Sequence, residues 1–286
     1  MTTDASGDWQ PTAALEVLKL RARLLDRIRA FFSERGVLEV ETPTLSAAAT
    51  TDPALASLVT RYLGPLFPRG QTLYLHTSPE FPMKRLLAAG CGSIYQICKV
   101  FRDGEAGRLH NPEFTLLEWY RLGYDHHRLM AETGDLVMQL LAPHMSLKPP
   151  ERLTYCEAFQ RHAGLDPHMA AAKDFAAAAK THRISVPRDV LAQNDLDVWR
   201  DLLLTHVIEP KLGQERLTFI YDYPASQASL ARIQPGDPPL AARFELYLNG
   251  IELANGFHEL ADANEQRARF ETQLRNRTAR GLPAAP

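Results

Sequence analysis

The sequence predicts a mixed α+β fold with antiparallel strand pairs, and three stretches carry that expectation. Between Ala13 and Arg35, the residues Leu15, Leu18, Leu25, Ile28 and Phe32 recur at three- to four-residue spacing, the period of a helix with one buried stripe. From Glu113 to Tyr120 the chain alternates: Phe114, Leu116, Glu118 and Tyr120 share one face, and Glu113, Thr115, Leu117 and Trp119 the other. Asn249-Gly250 lies between two further alternating segments, and that dipeptide suits the left-handed positions of a two-residue hairpin turn.

The remaining elements follow in chain order. Residues 1–12 read as a flexible lead, and Gly36 is a stop for the first helix. Val37 to Val40 have strand character, and Pro43 ends regular pairing. A long helix running into a short strand and a proline offers a surface that packs either on a copy of itself or inside the monomer. Residues 46–71 read as a loop region with one short strand, and Leu73 to His76 as a strand. Thr77-Ser78-Pro79-Glu80 is a helix start: a hydroxyl cap, a proline in the first turn and an acid at the positive helix end. That helix carries Met83, Leu86 and Leu87 and stops at Gly90; Ser93 to Phe101 is the next strand. Residues 126–142 form a helix, 143–150 a break, and 151–213 a helical insertion opened by the capping box Thr154-x-x-Glu157. Leu217 to Tyr223 is a strand, Pro224 to Ala231 a turn, and Asp262 opens an Arg-rich helix.

Composition excludes several classes. A net charge of −2 provides no general attraction to nucleic acid or anionic membrane. No apolar run is long enough to span a bilayer, and the N-terminus lacks a basic start and an apolar signal core, so a cytoplasmic protein is expected. The three cysteines, Cys91, Cys98 and Cys156, lack zinc-ligand spacing and read as free thiols. There is no Walker loop and no GxGxxG after a strand.

Chemistry concentrates in Phe101–Tyr120, FRDGEAGRLHNPEFTLLEWY. Arg102, Arg108, His110 and Asn111 crowd a Gly-bearing loop between two strands, a cationic turn able to grip a phosphate. Glu118 on an otherwise largely apolar face needs a partner, and a salt bridge to an arginine such as Arg102 is the simple structural reading. In the Asn249-Gly250 hairpin, Leu248 is expected opposite Ile251, Tyr247 opposite Glu252 and Leu246 opposite Leu253. One face is then aliphatic, and Glu245 and Glu252 become diagonal neighbours roughly 7 Å apart. Such a pair repels unless a cation lies nearby, and Mg²⁺ suits a few carboxylates plus phosphates.

RGVLEVETP, TSPEFPMKRLL, FRDGEAGRLHNPEFTLLEWY, YPASQASLA and GIELANGFHEL, in this order, resemble the class II lysyl-tRNA synthetase catalytic core across essentially the whole chain. Within that family the sequence is similar to stand-alone paralogues that modify a protein. The resemblance implies an antiparallel sheet flanked by helices and a homodimer built through motif 1, RGVLEVETP. It implies ATP and Mg²⁺ as cofactors, activation of (R)-β-lysine as an adenylate, and transfer to a lysine of elongation factor P. It makes Arg102 the catalytic contact to the α-phosphate and places Asp103, Gly104, Glu105, His110, Asn111, Glu252 and Leu253 around ATP. Gly104 stands where the motif usually carries a glutamate near adenine, and Glu105 follows it. Ser78, Pro79, Glu80, Tyr120, Asn255 and Glu259 match positions around the amino acid. The resemblance favours Glu252 with Glu259 as metal ligands over the Glu245–Glu252 pair.

The expected organisation is one catalytic domain over residues 1–286, with the helical insertion at about 151–213 and without the C-terminal motif 3 strand-helix and its second ATP-binding arginine. The N-terminal anticodon-binding barrel of a tRNA synthetase is also expected to be missing, which argues against tRNA as acceptor. The alternatives are a truncated lysyl-tRNA synthetase core and a non-catalytic amino-acid sensor.

Overall fold

The computed structural model describes residues 11–187, 190 and 195–282. The lead at residues 1–10 and the last four residues lie outside them. Helix α1 (Leu15–Ser33) ends before Gly36, which takes φ +64°, a left-handed conformation that glycine adopts without steric cost. Strand β1 is Leu38–Glu39 only, shorter than Val37–Val40 predicts, because a single parallel pairing with β5 is available there. After β2 (Leu45–Ser46), the region expected to be mostly loop holds a hairpin, β3 (Val59–Gly64) and β4 (Phe67–Leu75), turned at residues 65–66. Much of this hairpin is exposed, including Val59, Tyr62, Leu63 and Phe67. Its pairing rests on backbone hydrogen bonds, so no buried-face alternation marks it in the sequence.

Helix α2 (Glu80–Ala88) begins within the predicted stretch, but Pro79 is its N-cap rather than a first-turn residue; the Ser78 hydroxyl, one residue earlier, accepts from the Glu80 amide at 3.0 Å. Strands β5 (Ile94–Phe101) and β6 (Glu113–Tyr120) pair antiparallel in unbroken register from Ile94–Tyr120 to Phe101–Glu113. Directly opposed residues share a face, so Gln96, Cys98 and Val100 lie beside Glu118, Leu116 and Phe114. The other face packs on α1: Tyr95, Ile97, Leu117 and Trp119 meet Phe31, Phe32 and Val37. Helix α3 (His126–Leu141) closes this cluster with Leu136 and Leu140. Its Glu132 accepts from Trp119 Nε1 at 3.2 Å and ion-pairs with Arg121 Nε at 3.1 Å, fixing β6 against the helix.

The expected break at 143–150 contains the start of strand β7 (Lys148–Thr154), so the first four residues of the expected helical insertion are strand. Pro149 and Pro150 hid it from sequence reading; they sit where the register shifts between Lys148 and Glu151, on a sheet edge that does not require their missing donors. Thr154 then makes both bonds of its capping box and opens α4 (Tyr155–Ala163). Helices α5 (Ala172–Thr181) and α6 (Leu196–Leu203) follow, then a π-helical turn at Leu204–Ile208.

These helices pack on one face of a second sheet, ordered β11-β10-β8-β7, with β9 (Ile233–Gln234) also paired to β10. Its main strands are β8 (Arg216–Pro224), β10 (Leu240–Leu248) and β11 (Ile251–Phe257). Tyr155, Phe159, Phe175, Trp199, Ile220, Tyr223 and Tyr247 share one buried cluster on that face. The opposite face, with Leu217, Phe219, Phe244 and Leu246, receives Met130 of α3. Helix α3 therefore touches both sheets and sets one against the other. The sheets are rich in antiparallel pairs, with parallel pairing at β1–β5 and β7–β8. Helix α7 (Ala263–Ala279) closes the described chain, and Arg277 Nη1 donates to the carbonyls of Asp52 and Leu55 at 2.6 and 2.8 Å.

The hairpin turn forms as predicted, with Asn249 and Gly250 at φ +51° and +72°. Leu248 opposes Ile251 and Tyr247 opposes Glu252. The expected Leu246–Leu253 pair does not form: the register shifts between Leu246 and Tyr247, and Leu246 opposes Ala254. One extra residue on β11 breaks the alternation. The expected aliphatic face is lost with it, since Leu246 is buried while Ile251 and Leu253 are exposed.

Candidate active site

The face of β5–β6 turned away from α1, the first turn of α2 and the segment beyond β11 bring three carboxylates into one cluster. Glu118 projects from β6. Ser78 Oγ donates to its Oε2 at 2.6 Å and Tyr120 Oη to its Oε1 at 2.7 Å. Burial pushes the Glu118 carboxyl up to about 7; the Ser78 hydrogen bond opposes that shift and the neighbouring Glu80 charge adds to it. Glu80, in the first turn of α2, and Glu259, just beyond β11, flank Lys84. The Lys84 Nζ lies 2.6 Å from Glu80 Oε1 and 2.7 Å from Glu259 Oε2. Burial also raises Glu259 to about 7, with Lys84 opposing the shift and Glu80 and Glu118 reinforcing it. Burial lowers the Lys84 pKa, but Glu80 and then Glu259 outweigh it, so the net shift is upward. Tyr120 is held well above the usual phenol range, first by burial and then by Glu118. A cluster this acidic suits an ammonium group.

Arg102 leaves β5 at the start of the cationic loop. Its Nε donates to the Thr77 carbonyl at 3.4 Å, its guanidinium lies 5.0 Å from the centre of the Phe114 ring, and Glu105 is 3.6 Å from its Nη1. The carboxylate beside Arg102 is therefore Glu105, and the suggested Arg102–Glu118 salt bridge is not made; Glu118 takes hydroxyl partners instead. The loop closes with the Arg102 amide donating to Pro112 O at 2.9 Å and the Gly107 amide to His110 O at 2.9 Å. Gly104 takes φ +80°, a conformation strained for any side-chain-bearing residue there. Asp103, His110 and Asn111 are exposed along this loop.

Glu252 sits on β11 in different company. Although its side chain reaches the surface, desolvation by the surrounding protein and then the Glu245 charge raise its carboxyl to about 7 against the pull of Arg243 and Arg102. Glu245 cannot share a metal with it. Its Oε2 accepts from Tyr223 Oη at 2.6 Å and from Tyr247 Oη in a very short bond, and Arg243 Nη2 holds its Oε1 at 2.5 Å. Arg243 Nε also donates to Asn255 Oδ1 at 3.1 Å. Glu252 makes no side-chain hydrogen bond among the described residues, and an open carboxylate crowded by like charge fits a divalent ion completed by phosphate oxygens and water. No group of three or more His, Cys, Asp or Glu is arranged to hold a metal ion among the described residues. Glu259 is engaged by Lys84, so the two proposed metal ligands lie in different charge environments.

Tyr223→Phe is expected to lower stability by about 1–2 kcal/mol, the effect of leaving a buried charged acceptor one donor short. Comparative urea melts of the two proteins check this.

A cavity of about 640 Å³ lies beside α2, lined by Thr42, Ser78, Glu80, Phe81, Phe270 and Gln273 among others. It touches the carboxylate cluster through Ser78 and Glu80, and neither Arg102 nor Glu252 lines it. Cys91, Cys98 and Cys156 are free thiols, and burial pushes Cys98 up to about 11. No helix of the described residues is long and apolar enough to cross a membrane.

Sequence reading singled out Arg102, Ser78, Glu80, Tyr120 and Glu259. It took Glu118 as a structural ion-pair partner and passed over Lys84. The signal for Glu118 was present, as a carboxylate alternating with Phe114, Leu116 and Tyr120. The local signal for Lys84 is its place four residues after Glu80, the spacing of a helical ion pair, whereas its Glu259 partner is distant in sequence.

The family model for class II (D, K and N) tRNA synthetases matches residues 7–281. A protein of Salmonella arizonae named elongation factor P–(R)-β-lysine ligase is 52% identical over 278 residues, covering 97% of this chain and 84% of its own. Proteins of the same name from Salmonella paratyphi A and Salmonella paratyphi B show the same identity and coverage.

Proposed function

The chain belongs to the class II (D, K and N) tRNA synthetase family, and from that premise we propose that it is an ATP-dependent ligase that activates (R)-β-lysine as an adenylate and transfers it to a lysine side chain of elongation factor P. The observation that carries this reading is that Arg102 directly follows β5, whose partner β6 holds Glu118 and Tyr120 beside Glu80 and Glu259. A phosphate-binding cation and an ammonium-binding cluster then share one platform. The relatives' printed name supports the choice of amino acid and acceptor.

In the first step a carboxylate oxygen of the amino acid attacks the α-phosphorus of ATP. The bond to the bridging oxygen of the β-phosphate breaks, and pyrophosphate leaves. Arg102 offsets the negative charge that grows on the α-phosphoryl oxygens, so the protein contributes position and charge rather than a covalent nucleophile. The loop with Asp103, Gly104, Glu105, His110 and Asn111 is the nucleotide's side of the site, with Glu105 the acidic side chain nearest Arg102. Glu252, on the strand segment shared with Leu253, would hold Mg²⁺, which supplies charge neutralisation to the phosphates. Ser78, Pro79, Glu80, Tyr120, Asn255 and Glu259 form the amino-acid side, with Glu118 added to them. In the second step the neutral ε-amine of the acceptor lysine attacks the acyl carbon, the acyl–phosphate bond breaks, AMP leaves with the bonding electron pair, and the nitrogen gives up a proton to solvent as the amide forms.

A cytoplasmic homodimer is part of the same proposal. Exposed Leu15, Val17 and Leu18 on α1 and Leu38 on β1 support pairing through that surface. Transfer to tRNA is not expected, in keeping with a net charge of −2. ATP–pyrophosphate exchange driven by (R)-β-lysine, followed by mass spectrometry of elongation factor P, tests the reading. Exchange with α-lysine alone and acylation of tRNA would replace it with a synthetase assignment.

A further inference from the structure

Lys84 is a cation already inside a cluster suited to binding cations. It stands one helical turn after Glu80 on α2, and its ammonium lies 2.6 Å from Glu80 Oε1 and 2.7 Å from Glu259 Oε2. Its Nζ is 5.8 Å from the centre of the Phe257 ring, near the end of β11. Glu259 is itself set by backbone pairing with Ala231. One ammonium thus ties the first turn of α2 to the segment after β11. Two carboxylates brought together without it would repel and swing apart.

Glu80, Glu118 and Glu259 carry three negative charges when ionised, and Lys84 supplies one positive charge, so two negative charges remain. Glu118 has the hydroxyls of Ser78 and Tyr120 as its hydrogen-bond partners and no ion-pair partner among the described residues. Two uncompensated charges match an amino acid with two ammonium groups and leave one with a single ammonium half-neutralised.

We infer that Lys84 is a specificity-determining positioning residue, which holds Glu80 and Glu259 at the separation of one ammonium and sets the residual charge so that the pocket selects diammonium substrates. This rests on the amino-acid-activating reading of the site. It makes no claim on the phosphoryl step, which belongs to Arg102.

The test uses the full chain and its Lys84→Met and Lys84→Arg variants. Calorimetry measures binding of (R)-β-lysine and of 3-aminohexanoate, the same chain without the terminal amine, and pyrophosphate exchange gives KM and kcat. Lys84→Met is expected to weaken β-lysine binding at least about tenfold and to shrink the preference over 3-aminohexanoate. KM should carry that change while kcat moves less than about threefold, and Lys84→Arg should recover most of it. A folded Lys84→Met protein with wild-type affinity and preference overturns the assignment, and tighter β-lysine binding would make Lys84 a plug. A wild-type protein that binds neither compound and gives no exchange overturns the functional reading itself.

Discussion

Arg102→Ala is expected to cut (R)-β-lysine-dependent pyrophosphate exchange by at least about 10²–10³-fold, the range for losing one preorganised charge at a transition state. The fold should survive, because the side chain has few structural partners: a long hydrogen bond to the Thr77 carbonyl, a loose ion pair with Glu105 and contact with the Phe114 ring. The loss should fall on kcat and kcat/KM together, since the charge it meets grows only as the α-phosphoryl group is transferred. Binding of β-lysine measured without ATP should change little. Arg102→Lys should restore only part of the rate, because a point charge cannot reproduce a planar guanidinium. Unchanged turnover in the alanine variant would remove Arg102 from the mechanism.

Glu118→Gln is expected to weaken β-lysine binding by about 10²-fold, with direct titration as the measurement, because one uncompensated carboxylate is removed from a partly buried ammonium site. The pH dependence adds a second readout. Glu118 is pushed up to about 7, so in the empty site it gains a proton as pH falls through that value. Wild-type affinity for the diammonium substrate should therefore fall below pH 7, and the variant should lose that group's share of the dependence. Stability moves with the opposite sign. A carboxylate whose folded pKa is raised favours the folded state fully below its unfolded value, 4.5, and loses that contribution as pH rises through about 7. Removing the charge should make the substrate-free protein more stable above pH 7, by on the order of 1–3 kcal/mol. Equal melting temperatures at pH 8.5 and equal affinities would show that Glu118 neither carries the shift nor meets the substrate.

Elements that carry a local signal were legible. The three- to four-residue spacing on α1, whose stripe is covered toward Phe32 while Leu15 and Leu18 stay exposed, the alternation of β6, the capping box at Thr154 and the left-handed turn at Asn249-Gly250 each state their structure locally. The end of β4 was legible in the strand expected at Leu73 to His76, but β3 with the start of β4, and β7, were not. The first is exposed on both faces, and the second begins at two prolines, so neither writes a period into the sequence. The Leu246–Leu253 pairing failed for a related reason: an extra residue on one strand is decided by neighbouring layers, not by the turn.

The sequence by itself determined the kinds of chemical group available: a cationic loop at Arg102, a carboxylate and a phenol two residues apart on β6, and acids on the later hairpin. Folding decided which of them meet. Glu118 turned to the Ser78 and Tyr120 hydroxyls, and Arg102 to Glu105. Glu252 and Glu259, seven residues apart in the chain, came under different charges, and Glu259 reached the Glu80–Lys84 pair of α2 from a segment distant in sequence. Side-chain type and short spacing are local properties, whereas the partner of a partly buried charge depends on which distant element excludes water from it, and only the packed structure specifies that.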